Sequence, residues 1–170
     1  ELGCGDGSFL LKWSALHPER NFVGVERLKG RVTKIDRKGR RQGLINLRGL
    51  RLEAAYVLEW MIPAASLSAL HVYFPDPWPK KRHHKRRIVQ TGFADLVATR
   101  LRPGGKFRLA TDWVPNAEWM REVLDPHPEF TNLAGDAGYV PRPAERPVTK
   151  FERRGERLGH EVRDLAYLRR

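Results

Sequence analysis

Glu1-Leu2-Gly3-Cys4-Gly5-Asp6-Gly7, followed by the apolar stretch Ser8 to Leu16, decides the fold of this 170-residue chain. The glycines follow G-x-G-x-G, not the dinucleotide spacing G-x-G-x-x-G. Glycine lets a chain turn sharply and brings backbone N–H groups close to a ligand. The stretch from Ser8 to Leu16 reads as a helix, and Asn21 to Val25 (NFVGV) as the strand after it. That strand ends in Glu26, nineteen residues after Gly7. An acid in that place can accept hydrogen bonds from ribose hydroxyls, as in nucleotide-binding α/β folds. A glycine-rich turn alone is weak evidence, but glycine loop, helix, strand and terminal acid in this order are strong.

Outward from this unit, strands and helices keep alternating. A basic helix is expected to about Gln42, a strand within Leu44–Leu52 ending at Glu53, and a short helix from Tyr56 to Met61. Leu70–Phe74 reads as a buried strand and Ile88–Leu101 as a helix, stopped by a turn at Pro103-Gly104-Gly105. Phe107–Ala110 is a strand, Ala117–Leu124 a helix, 139–147 a proline-bearing surface loop, and Leu165–Leu168 a last strand. The alternation predicts a single α/β domain with a doubly wound, Rossmann-like sheet. A glycine loop of this kind follows a central strand, and Glu1 opens the sequence. The expectation is therefore that the first strand lies in a preceding N-terminal segment.

The second informative stretch is Phe74 to Arg87, FPDPWPKKRHHKRR. Pro75, Pro77 and Pro79 each fix φ and remove a backbone donor, so neither helix nor central strand runs through them. Asp76 thus stands on a stiff loop at a strand's C-terminal end, where open α/β sheets bind ligands. Behind it, six of the eight residues from Lys80 to Arg87 are Lys or Arg. The whole chain carries 32 Lys+Arg against 20 Asp+Glu, a net charge of +12. That balance favours a polyanionic partner, and nucleic acid fits it. A second cluster, Arg27 to Arg41, reads as a solvated helix face. The single Cys4 excludes an internal disulfide and fits a reducing, cytoplasmic compartment. No apolar run reaches membrane-spanning length.

ELGCGDG, the acid after GVE, FPDPWPKKRHHKRR, the later ATDW and the near-terminal TKFERRG together resemble the bacterial tRNA (guanine-N7-)-methyltransferases. The resemblance runs over essentially the whole chain. It implies a class I fold and transfer of a methyl group from S-adenosyl-L-methionine to N7 of guanine 46 in the tRNA variable loop. It assigns cofactor binding to Glu1, Gly3, Gly5, Gly7, Glu26, Glu53 and Asp76, with Asp76 also the catalytic acid. Lys80, Asp112, Thr149, Lys150, Phe151 and Glu152 match substrate-binding positions, and Arg82, His83, His84, Lys85, Arg86 and Arg87 the RNA-contact segment. The implied partner is tRNA, with neither membrane nor metal.

Other readings stand beside these. Glu53 is equally readable as an exposed surface acid, since the family has Asp there. Asp76 can cap a turn, and Asp112 can cap a helix. Trp78 and Trp113 either stack on a displaced base or pack within loops. His83 and His84 lack a ligand spacing suited to a metal. Two whole-protein alternatives also remain: a class I methyltransferase acting on another RNA or atom, and a non-catalytic RNA-binding relative.

Overall fold

The computed structural model of the chain describes residues 1–144 and 146–170, without the side chains of Lys150, Phe151 and Glu156. The glycine loop enters α1 (Ser8–Leu16), which buries Phe9, Leu10 and Leu11. Each such side chain contributes about 1.5–3 kcal/mol when fully buried. There follow β1 (Phe22–Val25), α2 (Lys29–Arg41), β2 (Leu47–Leu50) and α3 (Ala54–Trp60). Then come β3 (Leu67–Tyr73), a 3-10 turn at Lys81–Arg86, α4 (Thr91–Arg100) and β4 (Leu101–Thr111). The chain closes with α5 (Val114–Leu124), β5 (Phe130–Asn132), α6 (Lys150–Arg157) and β6 (Arg163–Arg169).

β1 pairs with β2 and β3 with β4, all in parallel. β6 runs antiparallel between β4 and β5, giving the order β3-β4-β6-β5. Leu2 joins the two groups, with parallel bridges to Val25 of β1 and Val72 of β3. Its amide donates to His71 O (2.9 Å), and Gly3 N donates to Val25 O (2.8 Å). Below Leu2 lies a slot between β1 and β3, lined by Phe9, Leu10, Val23, Val57, Leu70 and His71.

The sheet differs from the sequence reading at three points. Pro103-Gly104-Gly105 lies within β4, not before it. The register jumps from Leu67↔Leu101 to Ala69↔Lys106, so the glycines form a bulge, with Gly104 at φ +75°. β5 was unforeseen, and α6 also formed where only family residues had been noted. The last strand begins at Arg163, and Asp164 within it is buried.

Because β1, β2, β3 and β4 are parallel, their C-terminal ends share one edge. β6 runs the other way, with Thr111 opposite Arg163 and Ala110 opposite Asp164. Its beginning, and α6 just before it, therefore lie on that same edge. The glycine loop, Glu26, Glu53, the Asp76 loop, Asp112 and α6 all gather there.

Candidate active site

Gly3, Gly5 and Gly7 all adopt left-handed backbone, with φ of 68°, 56° and 74°. At Gly7 the requirement is also steric, since a Cβ there would lie 2.4 Å from Ile35 Cγ1. Around Gly3 a Cβ would meet nothing within 4 Å, so the outer side of the loop is open to a ligand. The loop is tied to the acid at the end of β1. Glu26 is buried, and its carboxylate accepts from Gly5 N (3.1 Å), Arg27 N (2.8 Å), Leu28 N (3.0 Å) and Arg31 Nη1 (3.3 Å).

Glu1 is half-buried as a residue, yet its Oε2 is out of reach of water and has no partner among the described residues. Burial pushes its carboxyl up to about 8. A buried acid oxygen without a partner can accept from a bound ammonium, which would favour its ionised form, and an α-amino group is one. With the open glycine loop and Glu26 beside it, the donor set fits an amino-acid-bearing nucleoside such as S-adenosylmethionine. Cys4 is buried, and burial raises its thiol to about 12, which disfavours the nucleophilic thiolate. Glu53 stands at the end of β2 and caps α3, accepting from Tyr56 N at 2.9 Å.

Asp76 is exposed on the loop after β3. That loop is bracketed by two non-glycine residues with positive φ, Phe74 at 51° and Trp78 at 45°. Such backbone costs about 1–3 kcal/mol per residue and persists only where its surroundings hold it. Phe74 N donates to Ala110 O (2.8 Å), and Arg87 Nε donates to Pro77 O (2.9 Å). Arg86 lies over the Trp78 ring at 5.0 Å, so one face of that ring is already covered.

The expectation for Arg87 is corrected. It is 4 % exposed, and its guanidinium also reaches Pro115 O (3.3 Å) and His84 Nε2 (3.1 Å) over the Trp119 ring. A group enclosed by carbonyls and rings is a structural strap, not a phosphate contact. His83 and His84 are half-buried, the first edge-on to Trp78 and the second beside Arg87. Lys80, Lys81, Arg82, Lys85 and Arg86 form the exposed cationic rim.

Asp112 follows β4 and lies 3.8 Å from His160 Nδ1. α6 presses against it: a Cβ on Gly155 would lie 2.8 Å from Asp112 Oδ2. Thr149 and Glu152 form a reciprocal cap at the start of α6. Glu152 N donates to Thr149 Oγ1 (3.1 Å), and Thr149 N to Glu152 Oε2 (3.2 Å). Glu152 is 1 % exposed. It takes a two-pronged bond from Arg146 (2.9 and 3.0 Å) and is ion-paired with Arg142 at 3.0 Å. Glu152 braces the start of α6 through Arg146 and Arg142. The side chains of Lys150 and Phe151, expected to contact substrate, lie outside the described residues.

Sequence reasoning missed Arg146, Arg142, Asp164 and His160. Arg146 is fully buried, also bonds Asp164 (3.0 Å), and lies over the Tyr73 and Phe74 rings at 5.5 and 5.6 Å. The T-x-x-E spacing at Thr149–Glu152 was a legible signal for α6, whereas nothing local marked Arg146. Among the described residues no three His, Cys, Asp or Glu side chains converge as a metal site would need. No described helix is long and apolar enough to cross a membrane.

A family model described as "Putative methyltransferase" matches residues 1–165. Solved structures with the same fold include TrmN from Thermus thermophilus, at TM-score 0.66 and 18% identity, covering 99% of this chain and 42% of that one. Another is a putative methyltransferase from Thermoplasma acidophilum, at TM-score 0.61 and 17% identity, covering 99% and 66%. Among curated relatives, a tRNA (guanine-N(7)-)-methyltransferase of Pseudomonas putida is 52% identical over 98% of this chain and 70% of its own length. One from Halorhodospira halophila is 47% identical over 98% and 72%. Matched over nearly all its residues, with its glycine loop and Asp76 loop on one sheet edge, the chain belongs to the tRNA (guanine-N(7)-)-methyltransferase family.

Proposed function

We infer that this chain transfers a methyl group from S-adenosylmethionine to N7 of a guanine in tRNA, and we propose guanine 46 of the variable loop as the target. One observation carries the reading: Asp76 is held on a strained, proline-flanked loop between the glycine-loop edge and a cationic rim. Residues 1–170 act as a single class I methyltransferase domain, and the compartment is the cytoplasm.

Bound S-adenosylmethionine supplies an electrophilic methyl group on a sulfonium. Glu1 takes its α-amino cation, Glu26 its ribose hydroxyls and Glu53 its adenine edge, while Gly3, Gly5 and Gly7 allow close backbone approach. Guanine N7 carries an in-plane lone pair and no proton, so no general base is needed. What the protein supplies is alignment and a site that tolerates charge spreading over the purine. Asp76 accepts from the guanine N1–H and exocyclic amine, holds the base and opposes its developing positive charge. Lys80 and Asp112 line the base site, and the Thr149–Glu152 turn supports it from the side. The exposed cations from Lys80 to Arg86 meet RNA phosphates.

Transfer of a tritiated methyl group to unmodified tRNA, followed by nucleoside analysis and mapping, tests this directly. 7-Methylguanosine at position 46 is the expected product. Label at another base or atom, or none with cofactor bound, rejects the reading.

A further inference from the structure

α6 has two chemically different sides. Glu152 and Gly155 face inward, one to Arg146 and the other to Asp112. Arg153, Arg154 and Arg157 are exposed. Their spacings of three and four place them on one face of the helix. Among the described residues none of these three meets a carboxylate. Arg31, Arg40, Arg121, Arg142, Arg146 and Arg163 each do.

Such a helix does not hold itself together. Like charges at these spacings weaken a helix by about 0.2–0.5 kcal/mol per pair. Gly155 weakens it by roughly a further 0.8–1.0 kcal/mol relative to alanine. The Thr149–Glu152 cap and the buried Arg146 hold α6 in place instead. The fold thus fixes three exposed cations outward, unpaired among the described residues, at the edge that carries Asp76 and Asp112.

Sheet order sets where they stand. The Lys80–Arg86 rim follows β3, α6 precedes β6, and β4 lies between them. The β4–α5 turn and the first turn of α5 are approached by different elements, Arg87 reaching Pro115 of α5 and Gly155 and His160 lying against Asp112. We propose that Arg153, Arg154 and Arg157 form a second phosphate-contact surface for the tRNA, gripping the backbone across the Asp112 turn from the Lys80–Arg86 rim. This rests on the proposed tRNA reading and adds a surface to it.

The test is the salt dependence of tRNA binding between 50 and 200 mM salt, with methyl transfer measured alongside. Each lost phosphate contact flattens the slope of log K against log salt by roughly one unit. R153Q/R154Q/R157Q should flatten it by about two to three units and raise the KM for tRNA at least tenfold. Its cofactor affinity and melting temperature should match wild type. Neutralising three exposed cations of α2, with K34Q/R37Q/R41Q, removes the same charge elsewhere and should change the slope by less than one unit. An unchanged slope in the α6 variant, or an equal change in the α2 variant, overturns the inference. Wild-type protein that places no methyl on guanine N7 of tRNA would sink the functional reading instead, so the two failures are distinguishable.

Discussion

Removing the buried cation of Arg146 should unfold the chain early, and in a pH-dependent way. Arg146 is 1 % exposed and bonds both Glu152 and Asp164. Arg146→Met fills similar space but leaves two buried carboxylates without their main counterion. Taking one partner from a buried ion pair costs about 3–5 kcal/mol. For a domain of this size each kcal/mol lowers the melting temperature by about 2–4 °C, so a fall of about 6–20 °C is expected. The sign of the pH effect follows from Asp164. Burial already raises its pKa above the ordinary carboxylate value, with Arg146 pulling it down. Without Arg146 it rises further. A group with a raised folded pKa keeps a proton in the folded state that the unfolded state releases. Stability therefore falls as pH rises from the unfolded value towards the folded one. The deficit of Arg146→Met should accordingly be smaller at pH 5 than at pH 7.5. Calorimetric melting of both proteins at the two pH values reads this out. A variant melting within 2 °C of wild type, or with a deficit that ignores pH, refutes the reasoning.

Three other outcomes follow from the site. Asp76→Asn should bind cofactor yet lose about 10²–10³ in turnover, because the amide keeps the shape but drops the opposing charge; near-normal turnover would move the role to another residue. Relative to Glu1→Gln, the ligand-free protein should lose stability as pH rises from about 4.5 to about 8, the interval over which burial keeps the Glu1 carboxyl protonated. The adjoining ammonium, which burial shifts the other way, interacts with this carboxyl, so its own titration is followed in both proteins; equal pH profiles would argue against a buried carboxyl. Adding four apolar β-formers ahead of Glu1 should fill the slot between β1 and β3. Four buried side chains return about 6–12 kcal/mol, against about 4–8 kcal/mol for ordering their backbone. A rise in melting temperature is expected, and none would mean that the slot does not take a strand.

The parallel half of the sheet was legible because its signals are local. The glycine loop, the helix at Ser8–Leu16 and the acid ending β1 follow one another, and the structure keeps that helix residue for residue. Of the antiparallel half only the core of β6, Leu165–Leu168, was legible; the start of β6 and all of β5 were not, because their stability is non-local. β6 reads RDLAYLR, with a charge inside the strand, and Asp164 is tolerable only because Arg146, eighteen residues earlier, lies against it. Pro103-Gly104-Gly105 carries the signature of a turn and makes a bulge, since pairing with β3 resumes beyond it. Within the cationic run Arg87 departs from the expectation. A list of lysines and arginines does not say which one folds inward. Arg87 does, because two backbone carbonyls and the Trp119 ring replace its water.

Burial sorts one residue type into two tasks around Asp76. The loop that carries it enters through Phe74 and leaves through Trp78, both in left-handed backbone that their side chains disfavour. Left to itself, such a segment relaxes, and Asp76 loses its place. Arg146 lies on the Phe74 ring on the entering side, and Arg87 holds Pro77 O on the leaving side. Both guanidinium groups are buried, and each ties the loop to another element: Arg146 to α6 and β6, Arg87 to α5. The exposed cations between and beside them remain free to meet phosphate. In the role proposed for Asp76, a loop braced by two buried arginines needs little reorganisation when a base arrives, and preorganisation is what an alkylation without proton transfer asks of its enzyme. Strain in the loop, the buried arginines and the exposed rim are thus parts of one arrangement.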